Sequence, residues 1–353
     1  MRVYIGTYTR DDTGSEGIYR GELDVGTGEL TVQGVAARVD NPSFLALSAA
    51  GDFLYAVNEV SDLGTGKHGA ASAFRVASDG ALTAAGQQLA GASGPCHVCA
   101  HPGGELVFAA NYGGGALSMF RCAGGDLVER LVTIDHEGSS VNPERQQEPH
   151  PHSVNLSPDG AFLYVPDLGI DRIVIYRIDV AAATLTRAGE TATAPGAGPR
   201  HFTFHPRGRV AYGINELDST VTAYAYGATD GSLTAMQTVP TLPDCWSGVS
   251  TCADIHVHPN GRFVYGSNRG HDSIAIFAIG GDGRLEPVGH ESTQGRTPRN
   301  FALDPSGALL LAANQDSGTI VTFHVDAATG LLQPTGHVAA VPSPVCVVPV
   351  PGT

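Results

Sequence analysis

Between Gly198 and Glu216 apolar and polar residues alternate in two short runs, Phe202 and Phe204 on the first and Val210, Tyr212 and Ile214 on the second. A period of two marks a pair of strands. His205-Pro206-Arg207-Gly208 between them reads as a tight turn, with Pro presetting one dihedral and Gly allowing the unusual one. Such a pair folds back antiparallel, so the start of the first strand lies beside the end of the second. Arg200, His201 and Glu216 therefore meet at one end of a hairpin.

The same pattern recurs along the chain. Taking Pro199 as an anchor, equivalent positions are Pro42, Pro95, Pro151, Cys252, Pro298 and Pro344. Seven residues after each comes Ala49, Pro102, Pro158, Pro206, Pro259, Pro305 or Pro351, and sixteen after the first six come Asn58, Asn111, Asp167, Asn215, Asn268 and Asn314. A third apolar run follows in each unit (Ile173 to Tyr176, Val221 to Tyr224), and then a fourth led by Leu82, Leu127, Leu185, Leu233, Leu285 or Leu332. Anchors roughly 50 residues apart have the period of a four-stranded propeller blade. Val3 to Thr7 matches a second strand lacking its first, and Pro344 to Val348 a first strand lacking its second. Joining the two ends removes two open sheet edges. The expectation is an all-β, seven-bladed propeller of four-stranded antiparallel blades over residues 1–353. Its C-terminal strand completes the N-terminal blade, and the chain forms one domain.

Composition changes this picture little. Helical patterning is nearly absent, and 46 Gly with 22 Pro suit many tight turns. A net charge of -15 argues against nucleic acid, which requires a basic footprint. No signal peptide and no apolar run long enough to cross a membrane is evident, so a cytoplasmic protein without membrane partners is expected. A monomer is the expected state.

First strands line the axis of a propeller, and this brings one end of every blade to one channel mouth. There the register gathers His97, His150, His152, Arg200, His201, Glu216, Arg269 and Arg299, with Glu59, Tyr112 and Gln315 around them. Guanidinium and imidazole concentrated within an acidic chain point to an anion site, since Arg grips carboxylate or phosphate with two prongs. The competing reading pairs these charges as structural bridges across the funnel. The longest non-repetitive stretch, His136 to His152, joins a fourth strand to the next first strand at the same end. A long polar loop there reads as functional.

Other features read as structural. Gly113-Gly114-Gly115 joins two strands and opens no helix, so it is no phosphate cradle. His101, His205 and His258 precede turn prolines at the far end, where turn capping outweighs a metal site. Cys96 and Cys99 lie three apart on a strand and point to opposite faces. Cys245 and Cys252 bracket a short loop, with reduced thiols expected in a cytoplasmic chain. Lys67, the one lysine, reads as a mark of Arg-favouring codon usage and not of catalysis.

His136-x-Gly138-Ser139-Ser140-x-Asn142-Pro143-x-Arg145-Gln146, followed by Pro149-His150-x-His152-Ser153 and Asp167-Leu168-Gly169-x-Asp171-Arg172, resembles the propeller lactonase family. So do Gly198-Pro199-Arg200-His201, Asn215-Glu216 and Ser267-Asn268-Arg269-Gly270. That family includes bacterial 6-phosphogluconolactonases and fungal carboxy-muconate cyclases. The resemblance covers essentially the whole chain and implies a site at the channel mouth that uses neither metal nor cofactor, with catalytic groups at His152, Arg200, Glu216 and Arg269. For lactone hydrolysis, Glu216 with a raised pKa would be the base, Arg200 and Arg269 would stabilise the oxyanion, and His152 would protonate the leaving oxygen. Arg299 or Arg145 would hold a phosphate on a small anionic sugar lactone. The same residue types serve a cyclase acting on unsaturated diacids, and a binding propeller without catalysis is a third reading.

Overall fold

The computed structural model describes residues 1–10, 12–64, 66 and 68–352; Lys67 lies outside the described residues. Seven four-stranded sheets form, each antiparallel throughout. Blade 1 is the composite: Pro344–Pro349 pairs with Arg2–Thr7, through Val3 with Pro349 and Ile5 with Val347, and Gly17–Leu23 and Leu30–Arg38 follow. Blades 2 to 7 run in chain order, each beginning with a short inner strand such as Pro95–Ala100, Pro199–Phe204 or Pro298–Leu303. This is the ring closure expected from the two incomplete ends.

The core lies between blades and not along the axis. Seven apolar clusters form, each drawn from two neighbouring blades, including one joining Tyr212, Ile214 and Val221 of blade 5 to Val264, Ala275 and Phe277 of blade 6. Second strands such as Phe53–Asn58 and Phe263–Arg269 are sandwiched on both faces, which explains their continuous apolar runs. Each fully buried large side chain contributes about 1.5–3 kcal/mol. With apolar matter committed to the blade interfaces, the axis is left to polar groups.

The far rim, where first strands turn into second strands, is closed by latches between blades. The hydroxyls of Tyr4, Tyr55, Tyr164, Tyr212 and Tyr265 donate to the carbonyls of Gly80, Gly125, Gly231, Gly283 and Gly330 in the next blade, at 2.7–3.0 Å. His101, His205 and His258 reach Gly160, Gly261 and Gly307 of the next blade through Nε2, while Nδ1 accepts a backbone N–H of their own turn. These three histidines therefore both cap turns and bridge blades.

The Asn and Asp sixteen residues after each anchor are tied to backbone and hydroxyl groups near the mouth. Asn58 donates to Asp40 O, Asn268 to Thr241 O and Asn314 to Thr293 O, while Asn215 bonds Thr220 and Thr222. They clasp each second strand to its surroundings, which is why the position is so regular.

Candidate active site

Two register positions build the mouth. The first is the residue after each anchor. In blades 3, 5 and 7 the ladder skips it: Pro95 faces Asn111 and His97 faces Ala110, Pro199 faces Asn215 and His201 faces Ile214, Pro298 faces Asn314 and Asn300 faces Ala313. Cys96, Arg200 and Arg299 are thus bulged out of their strands, and a bulge re-aims its side chain. The second is the residue after each Asn or Asp, where the second strand ends.

A cavity of about 280 Å³ opens there. The post-anchor position supplies Cys96, His152 and Arg299, and the strand ends supply Glu59, Tyr112, Glu216 and Arg269. Arg145 from the long loop and Thr251 complete the lining. A larger cavity of about 700 Å³ lies at the far rim between blades 5 and 6. Its buried His205 has both ring nitrogens engaged and its Arg207 and Arg209 are exposed, so the mouth is the better candidate for chemistry.

Glu216 is the centre of the cavity's electrostatics. Arg145 Nη2 reaches Oε1 at 2.8 Å, while Arg200 Nε and Arg269 Nη2 reach Oε2 at 2.9 and 3.0 Å. Burial alone would push this carboxyl up, but Arg269, Arg200 and Arg145 outweigh it and hold it down to about 2. The expected raised pKa of Glu216 is therefore corrected: its three arginines hold the carboxyl down, in its charged form near pH 7. His152 Nε2 lies 3.9 Å from Glu216 Oε2. Burial, followed by Arg200 and His201, holds the imidazole well below its ordinary value, so it is neutral near pH 7. The group expected to donate a proton thus rests as a neutral imidazole.

Arg200 is 2 % exposed and lies in the floor, against a smaller cavity that also touches Ser43, Phe44 and His201. Its Nη1 meets Ala253 O and His201 Nε2, the latter at 3.2 Å. Arg269 is nearer the opening, and its Nε is buried with no acceptor. Arg299 makes no ion pair within 4.0 Å among the described residues and packs over the Tyr8 ring at 5.4 Å. Arg269 and Arg299 thus line the cavity beside Arg145, whose Nη2 bonds Glu216 and, at 3.0 Å, Tyr112 OH.

Other predicted residues sit behind the lining. His201 donates through Nδ1 to Asp254 at 2.7 Å, and burial followed by Arg200 lowers it to about 4. His97 stacks on Phe44 with ring centres 3.9 Å apart. His150 stacks on Tyr112 at 4.4 Å and bonds its carbonyl through Nδ1 at 2.9 Å. Gln315 is not brought to the cavity; it lines a neighbouring cleft with Tyr8 and Arg10, and its amide bonds Asp316. The long loop is held down by His136, which donates to Asp167 at 2.7 Å and accepts from Tyr176 OH at 2.9 Å, and by Gln146 bonding Leu168 O. Asn142 caps the turn that presents Arg145.

Sequence reasoning missed Cys96, Ser43 and Tyr8. The first two occupy the post-anchor position and Tyr8 follows the second strand of blade 1, so register alone was signal enough. All six cysteines are free, including Cys245 and Cys252.

A family profile described as "Lactonase, 7-bladed beta-propeller" matches residues 2–349. The chain is 37 % identical over 347 residues to a 6-phosphogluconolactonase of Bacillus subtilis, covering 98 % of this chain and 97 % of the relative. A 6-phosphogluconolactonase of Formosa agariphila is 37 % identical over 342 residues, 94 % of each chain. The solved structure of a periplasmic gluconolactonase from Pseudomonas aeruginosa superimposes with a TM-score of 0.91 at 33 % identity, covering 99 % of both chains. The repeat, the ring and these full-length matches agree, and the chain belongs to the seven-bladed β-propeller lactonase family.

Proposed function

We propose that this protein hydrolyses a sugar lactone carrying a remote anionic group, foremost 6-phosphogluconolactone, giving 6-phosphogluconate, by acid–base chemistry of its own side chains. The relatives named above support the substrate class. The observation that carries the reading is a neutral His152 in a cavity also lined by Arg269, whose Nε is buried without an acceptor, and by Arg299, which makes no ion pair among the described residues. Buried donors are rarely left unpaired without reason.

With its proton on Nδ1, beside Cys96 Sγ at 3.7 Å, His152 presents Nε2 as the acceptor. A water attacks the lactone carbonyl as Nε2 takes its proton. The carbonyl oxygen becomes an oxyanion facing Arg269. The ring C–O bond then breaks, and the imidazolium returns its proton to the leaving ring oxygen. Glu216 remains charged throughout: it fixes three arginines and favours the transient imidazolium 3.9 Å away. Arg200 acts from the floor by holding Glu216. Arg299 takes the phosphate, so that binding energy far from the carbonyl orients the ring.

We place the reaction in the cytoplasm, which suits six free thiols. Ring opening followed by pH-stat tests the reading. Wild type accelerates opening of 6-phosphogluconolactone, and Arg299→Met raises KM for it while leaving glucono-δ-lactone little affected. Wild type that opens neither lactone above background overturns the reading.

A further inference from the structure

Glu59 and Glu216 line one cavity and are wired in opposite ways. Glu216 is approached by three guanidinium groups. No Arg, His or terminal amine nitrogen lies within 4.0 Å of Glu59 among the described residues. Its donors are hydroxyls. Tyr8 OH reaches Oε1 and Oε2 at 3.0 and 2.9 Å, and Ser43 Oγ reaches Oε2 at 2.5 Å. Both donors are buried, at 3 % and 4 % exposure. An ionised carboxylate accepts in about four directions, and Oε1 receives only its share of the Tyr8 bond, so accepting capacity remains at the cavity wall.

We infer that Glu59 is a specificity-determining residue that accepts hydrogen bonds from hydroxyls on the substrate, so that the site selects polyhydroxylated lactones and rejects ligands bringing a second carboxylate to that wall. The inference rests on the lactone reading and names its substrate class more closely. A hydroxyl donating to a carboxylate makes a charge-assisted bond. A second carboxylate at the same place has no proton to donate and meets like charge, the kind of repulsive element by which sites discriminate. Arg299 and Glu59 are thus complementary: one cation for the single anion the substrate carries, and one anion for its hydroxyls. The unsaturated diacid of a cyclase fits the first and not the second.

Calorimetric binding of two ligands differing only in hydroxyls tests this: 6-phosphogluconate and 6-phosphohexanoate. Wild type is expected to prefer 6-phosphogluconate by about 10- to 100-fold, the worth of one hydrogen bond to a charged group. Glu59→Gln shrinks that preference and tightens binding of cis,cis-muconate. Tyr8→Phe, which keeps the carboxylate but frees it to turn, shrinks the preference several-fold and guards against a misfolded Glu59 variant. A preference unchanged in both variants, or absent from wild type, overturns the inference. Failure of wild type to open any sugar lactone overturns instead the reading on which it rests, and binding of neither phosphorylated ligand by a wild type that opens the lactone overturns the inference alone.

Discussion

The two ends of this propeller use one repeated backbone for opposite purposes. At the far rim, Tyr and His side chains meet backbone carbonyls of the next blade, neutral donor to neutral acceptor, and the latch recurs around the ring. At the mouth, bulged and strand-end positions carry charged side chains, and Arg269 and Arg299 line a cavity there. The latches at the rim hold neighbouring blades together, whereas the mouth sets charged groups around a cavity. The proposed chemistry and the inter-blade latches therefore lie at opposite ends of the blades.

The largest effect expected is at the mouth. Arg269→Met removes the proposed oxyanion donor and should lower kcat by about 100- to 1,000-fold, the cost of losing one such group. The melting temperature should fall only modestly, because Arg145 and Arg200 still hold Glu216. A comparable loss of melting temperature and no loss of kcat would erase the distinction between the two ends.

The converse experiment is at the rim. Tyr55→Phe, Tyr164→Phe and Tyr265→Phe each forfeit one inter-blade bond, at about 1 kcal/mol apiece. They lie in different blades, so denaturant unfolding should show the losses adding. Lactone opening should stay at the wild-type rate. At Gly283, φ is +86° and a Cβ would lie 2.6 Å from a Val210 methyl, so Gly283→Ala should cost more than any one tyrosine hydroxyl.

The smallest effect concerns acid. Burial holds His97, His152 and His201 below the ordinary histidine value, with His201 near 4. Their contribution to stability is complete above about pH 6.5 and is lost as pH falls, for His201 down to about 4. Glu216, depressed to about 2, adds a further loss below about 4.5. His256, where burial is outweighed by Asp254, is raised and opposes the trend. Melting temperature against pH should decline between 6.5 and 4; a flat curve would mean that these imidazoles are not buried as neutral groups.

Much of this was readable in the chain. The anchors, the strand ends and the two incomplete termini gave the ring, because the apolar period of two reports burial directly. Most mouth residues followed from the register. What could not be read was orientation. A bulge is one residue of slack in a ladder, and nothing in Pro199-Arg200-His201 announces that Arg200 is the residue pushed out. Nor does residue type say how charges pair: Glu216 looked like a base until three guanidinium groups were found on it. Gln315 shares the register of Glu216, but its amide turns to Asp316, and the cavity forms around the charged strand ends of blades 2, 5 and 6 and Tyr112 of blade 3.

The central claim is that Glu216 is a fixed anion and that the neutral base beside it is His152. The pH profile of kcat/KM for 6-phosphogluconolactone, for wild type, His152→Asn and Glu216→Gln, tests it most directly. The account predicts a wild-type rate that is level from pH 8 to below 6.5 and falls only in more acidic solution, with that acid limb absent from the residual rate of His152→Asn. A limb centred between about pH 6 and 7 that persists in His152→Asn and vanishes in Glu216→Gln would contradict it.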